Sequence, residues 1–231
     1  KSKECVKRLR NSWQLYVIIS LPVLYLLIFA YYPMYGAQIA FKDFNISKGI
    51  WGSPWVGFKH FKHFFNSYQF WKVIWNTVSL SLYQLIAGFP FPIILALSLN
   101  YVKNVAFKKT VQMITYAPYF ISVVVLVGMI NQFLAPRTGL VNNIISAILG
   151  KDVDLLGNPA LFKSIYVWSR VWKDTGFASI MYLAVLSSVD IQQHEAAIVD
   201  GATKLQRIWY VDIPGILPTA VILLIMNIGQ V

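Results

Sequence analysis

The chain has 231 residues, 57% of them hydrophobic and only 13% charged, with a mean hydropathy of +0.57. Soluble domains carry about twice that share of charge, which excludes an ordinary globular fold. A net charge of +11 points to nucleic acid in a soluble protein, but five of the cations (Lys1, Lys3, Lys7, Arg8, Arg10) precede the first apolar block, where anionic lipid headgroups attract them.

The apolar residues fall in blocks long enough for a helix to cross a hydrocarbon core of about 30 Å. The first, Gln14 to Pro33, exceeds a signal-peptide core of about 7 to 15 residues and lacks a small-x-small cleavage site, so it reads as a retained span. The second covers Ile74 to Tyr101 and is interrupted by Gly88, Pro90 and Pro92. The third covers Val111 to Ala135, with Pro118 inside it. Such breakers are tolerated where neighbouring helices or water satisfy the freed carbonyls. The fourth runs from Leu161 to Ser187 with charges in its middle, and the fifth starts near Pro214 and is still apolar at Val231. No Met begins the chain and no polar tail ends it, so the expectation is a fragment cut inside its fifth span.

The fold class that follows is an all-α polytopic membrane protein. A basic N-terminus (1–13) precedes a transmembrane region (14–231), which contains an outer loop (34–73) and a polar loop (188–213). Cations are nearly as many in the outer loops (Lys42, Lys48, Lys59, Lys62, Lys72, Arg137, Lys151, Lys163), but those packed at helix ends, Lys103, Lys108 and Lys109 in one loop and Lys204 and Arg207 in another, weigh more and favour a cytoplasmic position for those loops and the N-terminus. The single Cys5 excludes an intrachain disulfide; a passive thiol and a palmitoylation site are both open.

In the outer loop, Phe58, Phe61, Phe64 and Phe65 fall at helical spacing, which predicts a short amphipathic helix on the headgroup surface. A docking surface for an external partner is the alternative. His60 and His63 have no third ligand nearby, so no metal site is expected.

The polar stretch after the fourth block reads as two short helices meeting at Gly201, with Asp190 capping the first and Asp200 the second. Ala196 and Ala197 let another backbone approach, Glu195 offers an acceptor, and Ile198 and Val199 an apolar contact. A docking knob and an ordinary connector remain equal readings of these residues.

Glu195-Ala196-Ala197, three residues, Gly201, nine residues and Val211-x-Ile213-Pro214 resemble the EAA signature of membrane subunits of binding-protein-dependent ATP-binding-cassette importers. Asp200-Gly201-Ala202 and Pro218 are similar to the carbohydrate-uptake branch. Tyr31 to Gly36, Ile39 to Phe44 and Gly49 to Gly52 resemble permeases for polysaccharide fragments such as alginate-type and aldouronate-type oligosaccharides. Asp190 stands where the family often has proline, a change that a capping residue absorbs.

The resemblance implies a type I importer permease in a bacterial cytoplasmic membrane, with a sixth helix following the fifth. It implies a homologous second permease, a cytosolic ATPase dimer holding ATP and Mg, an external sugar-binding protein and an oligosaccharide cargo. Glu195, Ala196, Ala197, Asp200, Gly201, Ala202 and Pro214 would couple to the ATPase. The chain has no phosphate-binding G-x-x-x-x-G-K-[ST] loop, so no cofactor is expected on it. The four crossings before the EAA loop return it to the same side as the N-terminus.

Within the fourth block Trp168, Arg170, Trp172, Lys173 and Asp174 lie midway between its ends. Ionisable groups at that depth cost about 2.5 to 3.5 kcal/mol and face a bundle interior or a watery cavity. Arg170 and Asp174 at i, i+4 pair in one reading. In the other, a cation suits uronate carboxylates and tryptophans stack on sugar rings. Tyr83, Gln84, Asn131, Gln132 and Asn227 add polar groups that serve as helix-packing glue or as sugar ligands. A membrane-embedded enzyme would need a catalytic cluster, and His194 with Glu195 is the only one at the membrane face; the EAA spacing accounts for it better. A scaffold without transport differs only in lacking substrate-coupled ATP hydrolysis.

Overall fold

The computed structural model describes residues 12–150 and 154–229. Lys1, Lys3, Cys5, Lys7, Arg8, Arg10 and Lys151 lie outside them, as does Val231. Among the described residues every regular element is a helix, apart from one isolated bridge between Lys42 and Trp55. The chain divides into two units, Lys1–Val73 and Ile74–Val231.

In the first unit, α1 (Trp13–Leu26) continues through a π turn (Leu27–Tyr31) and a 3-10 stretch (Tyr35–Phe41) to make an apolar path of 29 residues. It is apolar on every side and buries none of its window within the protein, the pattern of a helix whose solvent is lipid.

Beyond it the chain doubles back. The Asp43 N–H donates to the Pro54 carbonyl at 2.9 Å, and the Val56 N–H to that of Phe41 at 2.8 Å. Lys42 is buried there, donating from Nζ to the Ile50 carbonyl at 2.8 Å and standing 5.6 Å over the Trp55 ring.

The expected phenylalanine helix forms as α2 (Lys59–Phe65). Its rings do not form one lipid-facing stripe. Phe58 and Phe61 pack on Phe41, with centroids 5.6 and 5.2 Å away, while Phe64 and Phe65 each meet Phe70 at 5.2 Å. Edge-to-face and tilted ring pairs are stable among themselves, so the rings gather rather than spread. His60 donates from Nε2 to the Lys42 carbonyl at 3.1 Å.

The second unit opens with α3 (Phe70–Gly88), of which residues from Ile74 belong to it, and α4 (Pro90–Asn100), joined as one path of 31 residues. Pro90 stands in the first turn of α4, where its missing N–H costs least, so the breakers do not end the span.

The third block departs from expectation. It forms α5 (Val105–Tyr116), a 3-10 turn (Ala117–Phe120) and α6 (Val123–Leu134), with a bend of 102°. Pro118 removes a donor from the ladder, and Ser122, in extended conformation, caps α6 by accepting from the Val125 N–H at 3.3 Å.

Next come α7 (Leu140–Leu149), α8 (Phe162–Leu186), α9 (Ile191–Val199), α10 (Lys204–Arg207) and α11 (Ile213–Ile228). A π turn (Ile208–Asp212) links α10 to α11. Both π turns end two residues ahead of a proline, Pro33 and Pro214.

Three helical paths are long and apolar enough to cross a membrane (Trp13–Phe41, Phe70–Asn100, Lys204–Ile228), and the bent α5–α6 pair makes a fourth if counted as one. The 25 residues of α8 reach about 37 Å, but Arg170, Lys173 and Asp174 lower its hydropathy.

The core forms where α4, α8 and α11 meet. Ala96, Leu97 and Leu99 pack there with Tyr182, Leu183, Leu186, Ile216 and Ala220. A second cluster joins Ala87 of α3 to Val167 and Val171 of α8. Small residues bring the backbones close, as van der Waals packing in lipid requires. A Cβ at Gly176 of α8 would collide with the Thr115 carbonyl of α5. Beside it, Tyr119 stacks on Phe177 with centroids 3.9 Å apart.

Candidate functional site: a coupling elbow and a polar cavity

Asp190 caps α9 as expected, its carboxylate accepting from the Gln192 N–H at 2.9 Å. At the other end Gly201 adopts φ +78°, the left-handed region that favours glycine. The Gly201 N–H donates to the Ile198 carbonyl at 3.0 Å and the Ala202 N–H to that of Ala197 at 2.9 Å. This is a Schellman motif, which satisfies the last carbonyls of the helix and fixes its exit angle.

The expectation that Asp200 caps the second helix is corrected. Asp200 closes α9, and Thr203 caps α10 in a capping box with Gln206: Gln206 Oε1 accepts from the Thr203 N–H at 2.7 Å, and Thr203 Oγ1 from the Gln206 N–H at 3.4 Å. Asp200 lies before the turn, so only Thr203 has the extended backbone that a cap needs.

Two short helices thus meet at Gly201 in a rigid elbow. Glu195, Ala196, Asp200 and Gly201 are exposed, Ala197 and Ala202 half-buried, and Pro214 is exposed in the first turn of α11. Around them Ile198, Val199, Leu205, Trp209 and Tyr210 expose apolar side chains, Val199 at 86% and Leu205 at 77%. Ile198 and Val199 stand on the elbow itself, whereas Leu205, Trp209 and Tyr210 belong to the Lys204–Ile228 path, which is apolar enough to enter a membrane.

Beneath the elbow is a group that sequence reading missed. Asp212, in the π turn, is fully buried. Its Oδ2 accepts from Tyr101 Oη at 2.7 Å, and its Oδ1 lies 3.3 Å from Nε2 of His194 on α9. The His194 contact has the distance of an ion pair without the alignment of a hydrogen bond, so Oδ1 has no hydrogen-bond partner. Arg207 lies over the Tyr101 ring, 5.6 Å from its centroid. Tyr101 is one residue beyond α4, and its phenol is pushed up to about 12 by burial, then by its hydrogen bond to Asp212 and the charge of that carboxylate. It remains a donor throughout the physiological range.

The second place is a cavity of about 470 Å³ beside α8, lined by Gln84, Tyr166, Arg170, Asp174, Tyr182 and Asn227 among others. Arg170 Nε stands 3.4 Å from Asp174 Oδ2. With its carboxamide oxygen facing the guanidinium, Gln84 accepts from Arg170 Nε and Nη1, both at 3.1 Å.

The other expected substrate-path residues are not all here. Trp168 and Trp172 line a separate, apolar cavity of about 490 Å³ with Phe91, Ile94, Ile114 and Pro118. Trp168 donates to Tyr83 Oη at 3.0 Å and meets Phe91 edge to face at 5.3 Å. The division follows from helical geometry, because positions two apart point to opposite sides of a helix. Lys173 lines neither cavity, and nor do Asn131 and Gln132 on α6.

Residues 88–231 match the family described as binding-protein-dependent transport system inner membrane component. The chain is 40% identical over 221 residues to the protein LplB of Bacillus subtilis strain 168, covering 96% of this chain and 69% of that one. It is 39% identical over 230 residues to the polygalacturonan/rhamnogalacturonan transport system permease protein YteP of the same organism, covering 100% and 72%. A solved bacterial ABC transporter involved in import of the acidic polysaccharide alginate superimposes with a TM-score of 0.89 at 42% identity, covering 98% of this chain and 76% of that one. A second structure of a bacterial alginate ABC transporter, in complex with an alginate pentasaccharide-bound periplasmic protein, matches with a TM-score of 0.87. The chain belongs to the binding-protein-dependent inner membrane components: it is a multi-pass permease subunit of an ABC importer, a membrane protein and not an enzyme.

Proposed function

We propose that this permease carries polysaccharide-derived oligosaccharides, with uronate-containing chains as preferred cargo, by alternating access between outward-open and inward-open states. The observation that carries the reading is the polar cavity: Arg170 is the one cation among its described lining residues, in a chain 42% identical to a subunit of an alginate importer. Asp174 offsets the guanidinium in the bundle, and a sugar carboxylate arriving beside Gln84 and Asn227 takes over as its partner. A planar guanidinium binds carboxylates through paired hydrogen bonds, each stronger than a neutral one.

The energy enters at the elbow. ATP and Mg reside on a separate cytosolic ATPase dimer, which grips Glu195 to Ala202 and covers the exposed apolar side chains of Ile198 and Val199. A homologous second permease completes the pathway, and an external sugar-binding protein delivers the cargo. The N-terminus and the elbow both face the cytoplasm.

The test is reconstitution of the complete complex in lipid, measuring which sugar, presented with the binding protein, stimulates ATP hydrolysis. Uronate oligosaccharides are expected to stimulate it, and Arg170→Gln to weaken that stimulation about tenfold or more, as loss of a charged hydrogen bond dictates, with smaller effect on neutral sugars. Equal effects on both classes remove the uronate assignment. Stimulation by no sugar removes the carbohydrate cargo altogether.

A further inference from the structure

The helix α9 is tied to the membrane bundle by little surface, and the contact that reaches it is polar. No residue of α9 is buried, and among the described residues no other helix packs broadly against it. What does reach it is Asp212, through His194. The same carboxylate holds the hydroxyl of Tyr101, 111 residues away in sequence at the end of α4.

A fully buried carboxylate is costly unless it is paired, and Asp212 carries one well-made hydrogen bond, to Tyr101, and one loose contact, to His194. An apolar side chain would hold the π turn without that penalty. Arg207, which lies over the Tyr101 ring, has its Nε buried without a hydrogen-bond partner. A buried polar group held by partners from two other segments ties the positions of all three segments to one another.

We propose that His194, Asp212 and Tyr101 form a polar clip that makes the cytoplasmic ends of α4 and α11 move with the coupling helix, so that Tyr101 and His194 are positioning residues for energy coupling. When the elbow shifts, His194 comes into line with Oδ1, and the carboxylate carries the displacement to Tyr101 and hence to α4, which packs in the core with α8 and α11. This rests on the reading of the elbow as the ATPase contact. It adds what that reading lacks, the route by which a movement of α9 leaves α9.

The experiment uses the complete complex in liposomes and reads three quantities: capture of the ATPase by a photocrosslinker at Val199, basal ATP hydrolysis, and sugar moved per ATP consumed. Tyr101→Phe removes only the hydroxyl. It is expected to keep crosslinking and basal hydrolysis at the wild-type level while lowering sugar moved per ATP by about fivefold or more, the span of typical coupling between sites. His194→Leu is expected to lower the same ratio and His194→Gln, which keeps a donor, to restore part of it. A purely structural clip would lower the amount of folded complex and leave the ratio unchanged, and an unchanged ratio in both Tyr101→Phe and His194→Leu overturns the proposal. If the wild-type complex gives no crosslink at Val199, the docking reading fails instead, and the clip with it.

Discussion

Gly201 is the residue on which the elbow turns. At φ +78° any L side chain is strained, by roughly 1–2 kcal/mol, and a bulky one also occupies the surface the partner must cover. No neighbouring atom lies within 4 Å of a Cβ built there, so the penalty is conformational and leaves the bundle alone. Gly201→Trp is therefore expected to abolish uptake while the protein still accumulates in the membrane, as is Glu195→Lys; quantitative membrane blots beside sugar uptake check both. Normal uptake by the two variants would remove the docking role.

The signature around Gly201 was legible because its parts lie within a span of 20 residues, Glu195 to Pro214. Asp212 was not, for the opposite reason: its partners come from positions 101 and 194, and one Asp inside an apolar run carries no hint of who answers it. The two sides of α8 were open to inspection. Depth in the helix groups Trp168 with Arg170, whereas the 3.6-residue period separates them.

At the level of elements, α8 organises the second unit, and Gly176 is a point of close approach to another backbone. The Thr115 carbonyl of α5 occupies the space a side chain would need. Gly176→Ala is expected to push α5 and α8 apart at a cost of about 1–3 kcal/mol, as overpacking does, lowering the thermal stability of the purified protein. Retention of the wild-type midpoint in a detergent melt would contradict the close approach. The hydropathy pattern located the long helical paths, although the last begins at Lys204 rather than near Pro214, and it missed the 102° bend between α5 and α6. Pro118 was visible in the sequence; what could not be read was whether the helix would curve through it, since membrane helices often do. Ser122 decides the matter by offering α6 a fresh cap.

For the whole molecule, the arrangement of loops is the testable quantity. The proposed import cycle puts the elbow on the cytosolic side and the Lys42–Trp55 loop on the other. Ile46 and Val199, 88% and 86% exposed, report on the two. In a Cys5→Ser background, Ile46→Cys is expected to react with an impermeant maleimide added outside intact cells, and Val199→Cys only after the membrane is opened. Labelling of both from one side would overturn the orientation. Charge alone leaves this question finely balanced, because Lys42, Lys48, Lys59, Lys62 and Lys72 enrich the outer loop as well; one of them, Lys42, is buried on the Ile50 carbonyl and Trp55 rather than facing water.

The π turn at Ile208–Asp212 sets the angular phase of everything after it. One surplus residue in a helix advances the following side chains by about 100°, and that offset is what points Ile216 and Ala220 at the core while Asp212 faces inward. Removing a single residue from 208–212 would swing those two side chains toward lipid and bring their neighbours round in their place. Chain length in this stretch is accordingly as tight a constraint as the identity of Asp212: the exposed Trp209 and Tyr210 can accept exchange far more readily than the segment can accept the loss or gain of one position.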